Sequence, residues 1–566
     1  MRTGSAVADV LSLPDLKDGV SRARVMKRPL ACGYHSVFLA LMTLGLPTFT
    51  IADTTSVPNT VANLPVATNS YLRVSGTKII DATGKTVYLR GVNMDNGYYS
   101  YTWDPTASWN YASESDIQYL KSLGVNSIRV VLNWRFFETD FGYKLINRYL
   151  AWCKKYGIYV ILDMHIVPNT DDVDRPTSPI WNDTAAQQKL TDLWVDIASH
   201  YANNTTIVGY DLFNEPSPAD ENQWWDLANR LAASIRNVDN HHLLFVEPAA
   251  MGTGSLRLIN DNKTVYSFHD YTPFLVTHSG VTWASDSPIP NNYSYPGNVI
   301  TGTTWANWSS DASEFRSVIP GWKYLDSGAL TVPSNVEFAV LKLAVEGNTD
   351  AVWFDDMRWL KNGSVLPIFN SSVEQVSMWD SNNPANWHFW TGDNVTSSWD
   401  KSVAHTGSHS LKLQNNVDSG FGIWTQSDTS NYIKPLAAVK AGDVIRVKGW
   451  VYAPNNHGAI SLGLDYLNGQ YTYYNKAALQ KVMNPFISWA KQNNVPLYVG
   501  EFGAVSNSPN NSRYNINADK MSIFNAAGLN WSLWTYRDND PNGFGMYHSK
   551  TKLDTKMANT LKAGLQ

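Results

Sequence analysis

The sequence predicts an α/β fold, a closed (β/α)8 TIM barrel with an antiparallel β-sandwich inserted in the loop after strand six. From about residue 71, apolar runs of strand length alternate with helical patterns, which implies right-handed crossovers and a parallel sheet. Eight such runs can be counted, the number that closes a barrel. The alternation stops over residues 276–472, where the helical period vanishes, and then resumes. That interval is expected to be a second domain placed inside the first, dividing the barrel into residues 71–275 and 473–566.

Before the barrel the chain reads as an address and a tether. Met26 is followed by Lys27 and Arg28, an apolar run over residues 36–46 and a small-residue exit near Ala52, which is the order of a secretory signal. Residues 1–52 are therefore expected to be a leader whose true start is Met26, and the Thr-, Asn- and Pro-rich residues 53–70 a linker. The apolar run is too short for a membrane span, so the expected destination is extracellular or periplasmic, with no membrane contact once the signal is removed. Cleavage near Ala52 leaves Cys153 as the one cysteine, so neither an internal disulfide nor a thiolate zinc site is expected. At 566 residues the chain can bury a large core, and its formal charge of -5 argues against nucleic acid. The surplus is of flat amphipathic rings, 23 Trp and 29 Tyr, which stack on sugar faces where they are not packing a core.

Strand one ends the stretch "RVSGTKIIDATGKTVYLRGVN". "VNSIRVVLNW", "IYVILDMH", "IVGYDLFNE", "HLLFVEP" and "VYSFHDY" follow as strands two to six, with helices over "GYKLINRYLAWCKKYG", "AAQQKLTDLWVDIASHYA" and "NQWWDLANRLAASIRNV". Past the insert come a helix over "ALQKVMNPFISWAKQNN", strand seven in "VPLYVGEFG", a helix over "MSIFNAAG", strand eight in "LNWSLWTYRD" and a last helix near residues 553–563.

Polar residues interrupt these apolar runs at their carboxyl ends. They are Asn93 after strand one, Arg129 in strand two, His165 at the end of three, Asn214 and Glu215 after four, His269 and Tyr271 at six, Glu501 at seven and Trp534 at eight. Each alone has a structural explanation, whether a satisfied core histidine, an ion pair, a barrel plug or a helix cap. Together they occupy one face of one barrel, the face where such barrels carry out chemistry. Asp163, Glu247 and Asp270 also lie near strand ends, and Asp163 and Glu247 are read as structural. Asp171, Asp172 and Asp174 lack the Gly and closing Glu of a calcium loop, so no metal site is expected there.

"GVNM", "IRVVLNW", "YGIYVILDMH", "YDLFNEP", "FHDY", "YVGEFG" and "WTYRD", in this order and spacing, resemble glycoside hydrolase family 5, the cellulase-like retaining β-glycanases. The resemblance covers about half the chain and implies that Glu215 is the acid/base and Glu501 the nucleophile. It implies supporting or substrate-binding positions at Arg129, His165, Asn214, His269, Tyr271 and Trp534, with Asn93 beside them, and no cofactor or metal. Retaining cleavage asks for two carboxyl groups about 5–5.5 Å apart, and strands four and seven face one another across a barrel mouth. The charge on Glu501 should raise the pKa of Glu215, while Arg129 and the Tyr271 hydroxyl keep Glu501 ionised.

The insert reads as β-rich, with alternating segments "EFAVLKLAVEGNTDAVWFDDMRWL", "HTGSHSLKLQ" and "VKAGDVIRVKGWVYAPNNHGAISLGLDYLNG" broken by Gly, Asn and Asp. These segments resemble jelly-roll carbohydrate-binding modules, in a circularly permuted order, since "VWFDDM" looks like a final strand yet precedes the early ones. Trp387, Trp390, Trp399 and Trp424 are its candidate sugar platforms. The expected whole is a secreted, monomeric endo-β-1,4-glucanase acting on a plant or microbial polysaccharide. β-Mannan, β-1,3-glucan, xylan and mixed-linkage glucan are alternative substrates, and a non-catalytic polysaccharide-binding protein is the alternative of another kind. The address predicts that a chain started at Met26 is exported as well as the full one, with a mature N-terminus near Asp53 by mass spectrometry. Secreted protein still carrying Val37 would contradict it.

Overall fold

The computed structural model describes residues 70–566 except 97–111, 170–174, 287, 378–379, 381, 392–393, 427–435, 539 and 550, and leaves the side chains of Trp390 and Thr391 undescribed. The leader, the linker up to residue 69, Asp171, Asp172, Asp174 and the Trp390 ring therefore lie outside the described residues. Eight parallel strands close into the expected barrel: β1 (Arg90–Met94), β2 (Ser127–Asn133), β3 (Tyr159–Ile166), β4 (Ile207–Asp211), β5 (Leu243–Val246), β6 (Thr264–Asp270), β7 (Leu497–Phe502) and β8 (Asn530–Leu533), which pairs back on β1. They are covered on both faces, and so they read as near-continuous apolar runs. Two glycines permit the closest approaches. A Cβ at Gly91 would lie 1.7 Å from the Ser127 carbonyl oxygen, and one at Gly209 would lie 2.1 Å from that of Leu243.

The hairpin Arg73–Ser75 and Lys78–Ile80 brings Leu72 and Ile79 against Ile161, Phe245, Val265 and Tyr498, which closes one end of the barrel with apolar side chains. The outer helices start and stop on local signals. Ser113 and Asp116 form a capping box ahead of Glu114–Leu123, while Asp183, Asp220 and Asp554 cap Thr184–Tyr201, Glu221–Arg236 and Thr555–Leu565. Gly124, Gly157 and Gly528 end their helices in the left-handed conformation. The helix expected over "MSIFNAAG" begins earlier, as Ser512–Ala527. Its first half hides because it buries polar side chains, Arg513, Asn517 and Lys520, instead of an apolar stripe.

Between β6 and the helix Lys476–Asn493, two antiparallel seven-stranded sheets face one another around their own apolar core. The long strands Gly297–Trp308 and Ala459–Tyr474 pair with each other and carry the chain out and back. Val276, Val281, Ile289 and Tyr295 pack in the barrel's core, whereas the sandwich core begins at Ile319. The chain just past residue 276 thus belongs to barrel packing, and Tyr295 ties it to Ser512 and Asp519 of the helix Ser512–Ala527. Two of the expected sugar platforms are corrected. Trp387 and Trp424 are each 1 % exposed, with Nε1 donating to the carbonyls of Asn370 and Lys412, so they pack the sandwich and offer no face to a ligand. Trp399 is half-buried, stacked on His409 at 4.1 Å and donating to the Val373 carbonyl.

Asp270, at the end of β6, holds the buried ammonium of Lys520 at 2.9 Å, and the same Nζ donates to the Asp270 carbonyl oxygen. Asp270→Ala strands that charge and should destabilise the fold by about 3–5 kcal/mol. Adding Lys520→Met should recover most of the loss in denaturation midpoint; an unchanged midpoint for the single variant would rule out this account.

Candidate active site

Arg129 rises from β2 into the barrel axis without solvent exposure, and every arm of its guanidinium is engaged. Nε donates to Asp211 at 2.9 Å, one terminal nitrogen donates to Asn93 at 3.1 Å and Glu501 at 2.9 Å, and the other donates to Asn214 at 2.9 Å and Glu247 at 3.2 Å. Asp163 lies 3.0 Å from that last nitrogen. Because arginine only donates, Asn214 must turn its oxygen to Arg129 and its Nδ2 to His165 Nε2, 3.2 Å away. His165 Nε2 is then an acceptor, and its Nδ1 carries the hydrogen toward Asp163 at 2.8 Å. Burial, helped by the charge on Arg129, pushes the His165 pKa down to about 3, which matches this neutral tautomer. The Trp534 ring stacks on His165 with 5.3 Å between centroids.

Glu215 and Glu501 meet above this network. Glu501 accepts from Arg129 at 2.9 Å and from the Tyr271 hydroxyl at 2.8 Å, and its carboxylate is 5 % exposed. Asn93 Nδ2 donates to the Gly500 carbonyl at 3.0 Å, which fixes the backbone that presents Glu501. Glu215 stands in the left-handed region at φ 47° and is 21 % exposed, and its backbone N–H donates to Glu247 at 2.9 Å. His269 sits between them, 2.7 Å from Glu215 through Nδ1 and 3.1 Å from Glu247 through Nε2. Gly500 permits this, since a Cβ there would fall 2.9 Å from His269 Nε2.

The electrostatics follow from counting charges. Two cationic groups, Arg129 and His269, stand among Asp163, Asp211, Glu215, Glu247 and Glu501. Burial alone would lower His269, but Glu247, Glu501 and Glu215 raise it well above the usual histidine range and hold it as an imidazolium. Burial pushes Glu215 up to about 7; Glu501 and Glu247 add to the rise while His269 opposes it. Burial also raises Tyr271, as does the charge of Glu501, so the phenol stays a donor.

The structure therefore brings Asn93, Arg129, His165, Asn214, Glu215, His269, Tyr271, Glu501 and Trp534 to one site. Sequence reasoning missed Asp211 and undervalued Glu247. Both carry the signal that exposed Glu215, a carboxylate set in or just after a buried apolar run, which requires a partner. It also missed Trp283, 52 % exposed beyond β6, which continues through Phe544 to Tyr271 as an aromatic shelf. Among the described residues, one cluster has the spacing to hold a metal ion, Glu215, His269 and Glu501, with ligand atoms within 4.8 Å of one another. Here the imidazolium supplies the positive charge between the two carboxyl groups.

The family model described as cellulase (glycosyl hydrolase family 5) matches residues 80–313 and 423–540, well over half of the chain. The chain belongs to glycosyl hydrolase family 5. The break in that match falls inside the sandwich. Relatives of this family 5 chain include a β-xylosidase of Phanerodontia chrysosporium, 32 % identical over 253 residues that cover 36 % of this chain and 52 % of that protein. Endoglucanase C of Acetivibrio thermocellus is 29 % identical over 200 residues, covering 33 % and 58 %. The chain thus spans little more than half the length of these curated relatives. A solved endoglucanase of the hyperthermophilic Thermotoga maritima aligns at a TM-score of 0.44 and 14 % identity, covering 83 % of this chain and 96 % of that one.

A carboxyl group pushed up to about 7 sets a direction for the pH dependence. Activity governed by protonated Glu215 should fall as pH rises through about 7, seen as the alkaline limb of kcat/KM. Glu501→Gln removes a neighbouring negative charge, so Glu215 in that variant should titrate lower, read by carboxyl-region infrared or carbon NMR. An upward shift would contradict the charge assignment.

Proposed function

We propose that this chain is a secreted retaining glycoside hydrolase that cleaves β-linked polysaccharide by double displacement, acting as an endo-β-1,4-glucanase. The observation that carries the reading is the pair itself: oxygens of Glu215 and Glu501 lie within 4.8 Å of one another. That spacing suits a retaining pair, whereas inverting pairs stand about 6.5–9.5 Å apart to admit a water. In the first step a Glu501 oxygen attacks the anomeric carbon while Glu215 gives its proton to the departing glycosidic oxygen, leaving a glycosyl ester on Glu501. In the second, Glu215, now ionised beside His269, takes a proton from water as that water's oxygen displaces Glu501 from the sugar. Arg129 and Tyr271 orient the nucleophile throughout. Asn214 is placed for the sugar 2-hydroxyl, and Trp534 for the floor beneath the sugar at the cleavage point.

Secretion rests on the signal-like order from Met26 to Ala52. Among the described residues, no helix is long and apolar enough to cross a membrane. The endoglucanase relative favours a glucan cut internally, and the β-xylosidase relative favours a second reading, action on β-xylosides. Hydrolysis of cellulose derivatives, xylan, mannan, β-1,3-glucan and mixed-linkage glucan, with product sizing, separates these: early loss of viscosity marks endo action, and release of single sugars marks exo action. No hydrolysis of any of them would favour a non-catalytic polysaccharide-binding protein. Glu501→Gln should abolish turnover. Glu215→Ala should lose about 10²–10⁴-fold, the usual worth of general acid–base help, and keep slow cleavage of substrates with good leaving groups. Azide should rescue that variant and yield a glycosyl azide of retained configuration; an inverted azide would refute the assignment.

A further inference from the structure

The outer face of one sandwich sheet carries a cluster that packing does not explain. Trp305 and Trp308, on the strand Gly297–Trp308, are 50 % and 51 % exposed, with ring centroids 5.6 Å apart at an interplanar angle of 54°. Trp308 lies directly opposite Asp465, and Asp465 opposite Val340, so with Lys342 two residues further on they share one face of the sheet. Leu341 and Leu343 point the other way, into the sandwich core. Lys342 is only 7 % exposed, yet among the described residues its ammonium makes no hydrogen bond or ion pair. Its Nζ lies 4.4 Å from the centre of the Trp308 ring and 5.7 Å from that of Phe421. Trp305 Nε1 donates to one Asp465 oxygen at 3.3 Å.

A cation over an indole is attracted to it, but the ring leaves the ammonium's three donors to solvent and supplies none of their acceptors. A ligand seated on these rings would supply them. Exposed indole faces suit the C–H faces of a pyranose, Lys342 offers donors and Asp465 an acceptor to sugar hydroxyls, and the two opposite charges side by side leave no net charge to select an anion. We propose that Trp305, Trp308, Lys342 and Asp465 bind a neutral β-glycan chain, and so hold polymer on the molecule that cuts it. This rests on the reading that the chain acts on such polymers. The outer face of the opposite sheet is also aromatic, but its groups are partnered: Trp450 stacks on His405, Trp322 and Trp353 lean on Tyr452, and Trp353 donates to Asp400.

The test uses the full chain carrying Glu501→Gln, so that polymer is bound and not consumed, with binding measured by pull-down on insoluble cellulose and by affinity electrophoresis in soluble glucan, xylan and mannan. Trp305→Ala with Trp308→Ala should weaken binding by about tenfold or more, the size of a lost stacking contact, and Lys342→Met should weaken it as well. Tyr324→Ala, on the opposite face, should change nothing. In the otherwise unaltered chain, none of these variants should change kcat/KM on small aryl β-glycosides, since Trp305, Trp308 and Lys342 have their contacts with Asp465, Phe421 and one another and not with Glu215 or Glu501. Should removal of both rings lower the melting temperature, Lys342→Met alone decides. No binding to any polymer by the Glu501→Gln chain, unchanged binding in the Trp and Lys variants, or a loss confined to Tyr324→Ala each overturns the proposal. Absence of aryl glycoside hydrolysis alongside Trp-dependent binding would instead count against the catalytic reading.

Discussion

The buried guanidinium of Arg129 is the interaction on which the rest of the site depends. It joins its own strand to groups on or just after β1, β3, β4, β5 and β7, through Asn93, Asp163, Asp211, Asn214, Glu247 and Glu501. A planar fork with five fixed donors can do this where a lysine ammonium could not, because each direction is set by the same rigid plane. The desolvation cost of placing a cation inside a barrel is offset only by close carboxylates with good geometry. The same contacts set the orientation of Glu501 and, by way of Asn214, the hydrogen positions of His165, on which Trp534 stacks.

His269 is the second cation, and it lies closer to Glu215, at 2.7 Å, than to Glu501, at 3.8 Å. Glu501 is held by Arg129 and Tyr271, groups that only donate to it. Glu215 is 21 % exposed and hydrogen-bonded to His269, and its burial, with the charges of Glu501 and Glu247, pushes it up to about 7 against the pull of the imidazolium. Glu247 is wholly buried, and its partners are Arg129, His269 and the Glu215 backbone. It fixes the Glu215 backbone and keeps His269 charged, which makes it a positioning residue.

The sandwich enters between β6 and its following helix, on the loop side where barrels of this kind place their sites. Its two long strands leave the barrel as a paired ribbon, and the first of them carries Trp305 and Trp308. Aromatic residues in this domain divide by the face they present. Trp387 and Trp424 are consumed by packing between the sheets, whereas Trp305 and Trp308 are half exposed.

Much of this was legible in the chain alone, because barrel strands are short apolar runs and their chemistry-bearing residues follow directly after them. "YDLFNEP" and "YVGEFG" identify Glu215 and Glu501 by local pattern, and the lapse of helical period between residues 276 and 472 reveals the sandwich. Local pattern also accounts for the caps that start most of the helices. It could not reveal which groups share Arg129, since Asp211 and Glu247 become its partners only when strands distant in sequence are brought around one axis. Nor could it say which tryptophans of the sandwich face solvent. An indole is equally suited to a core and to a sugar, and only strand register and the closure of two sheets decide which role it takes.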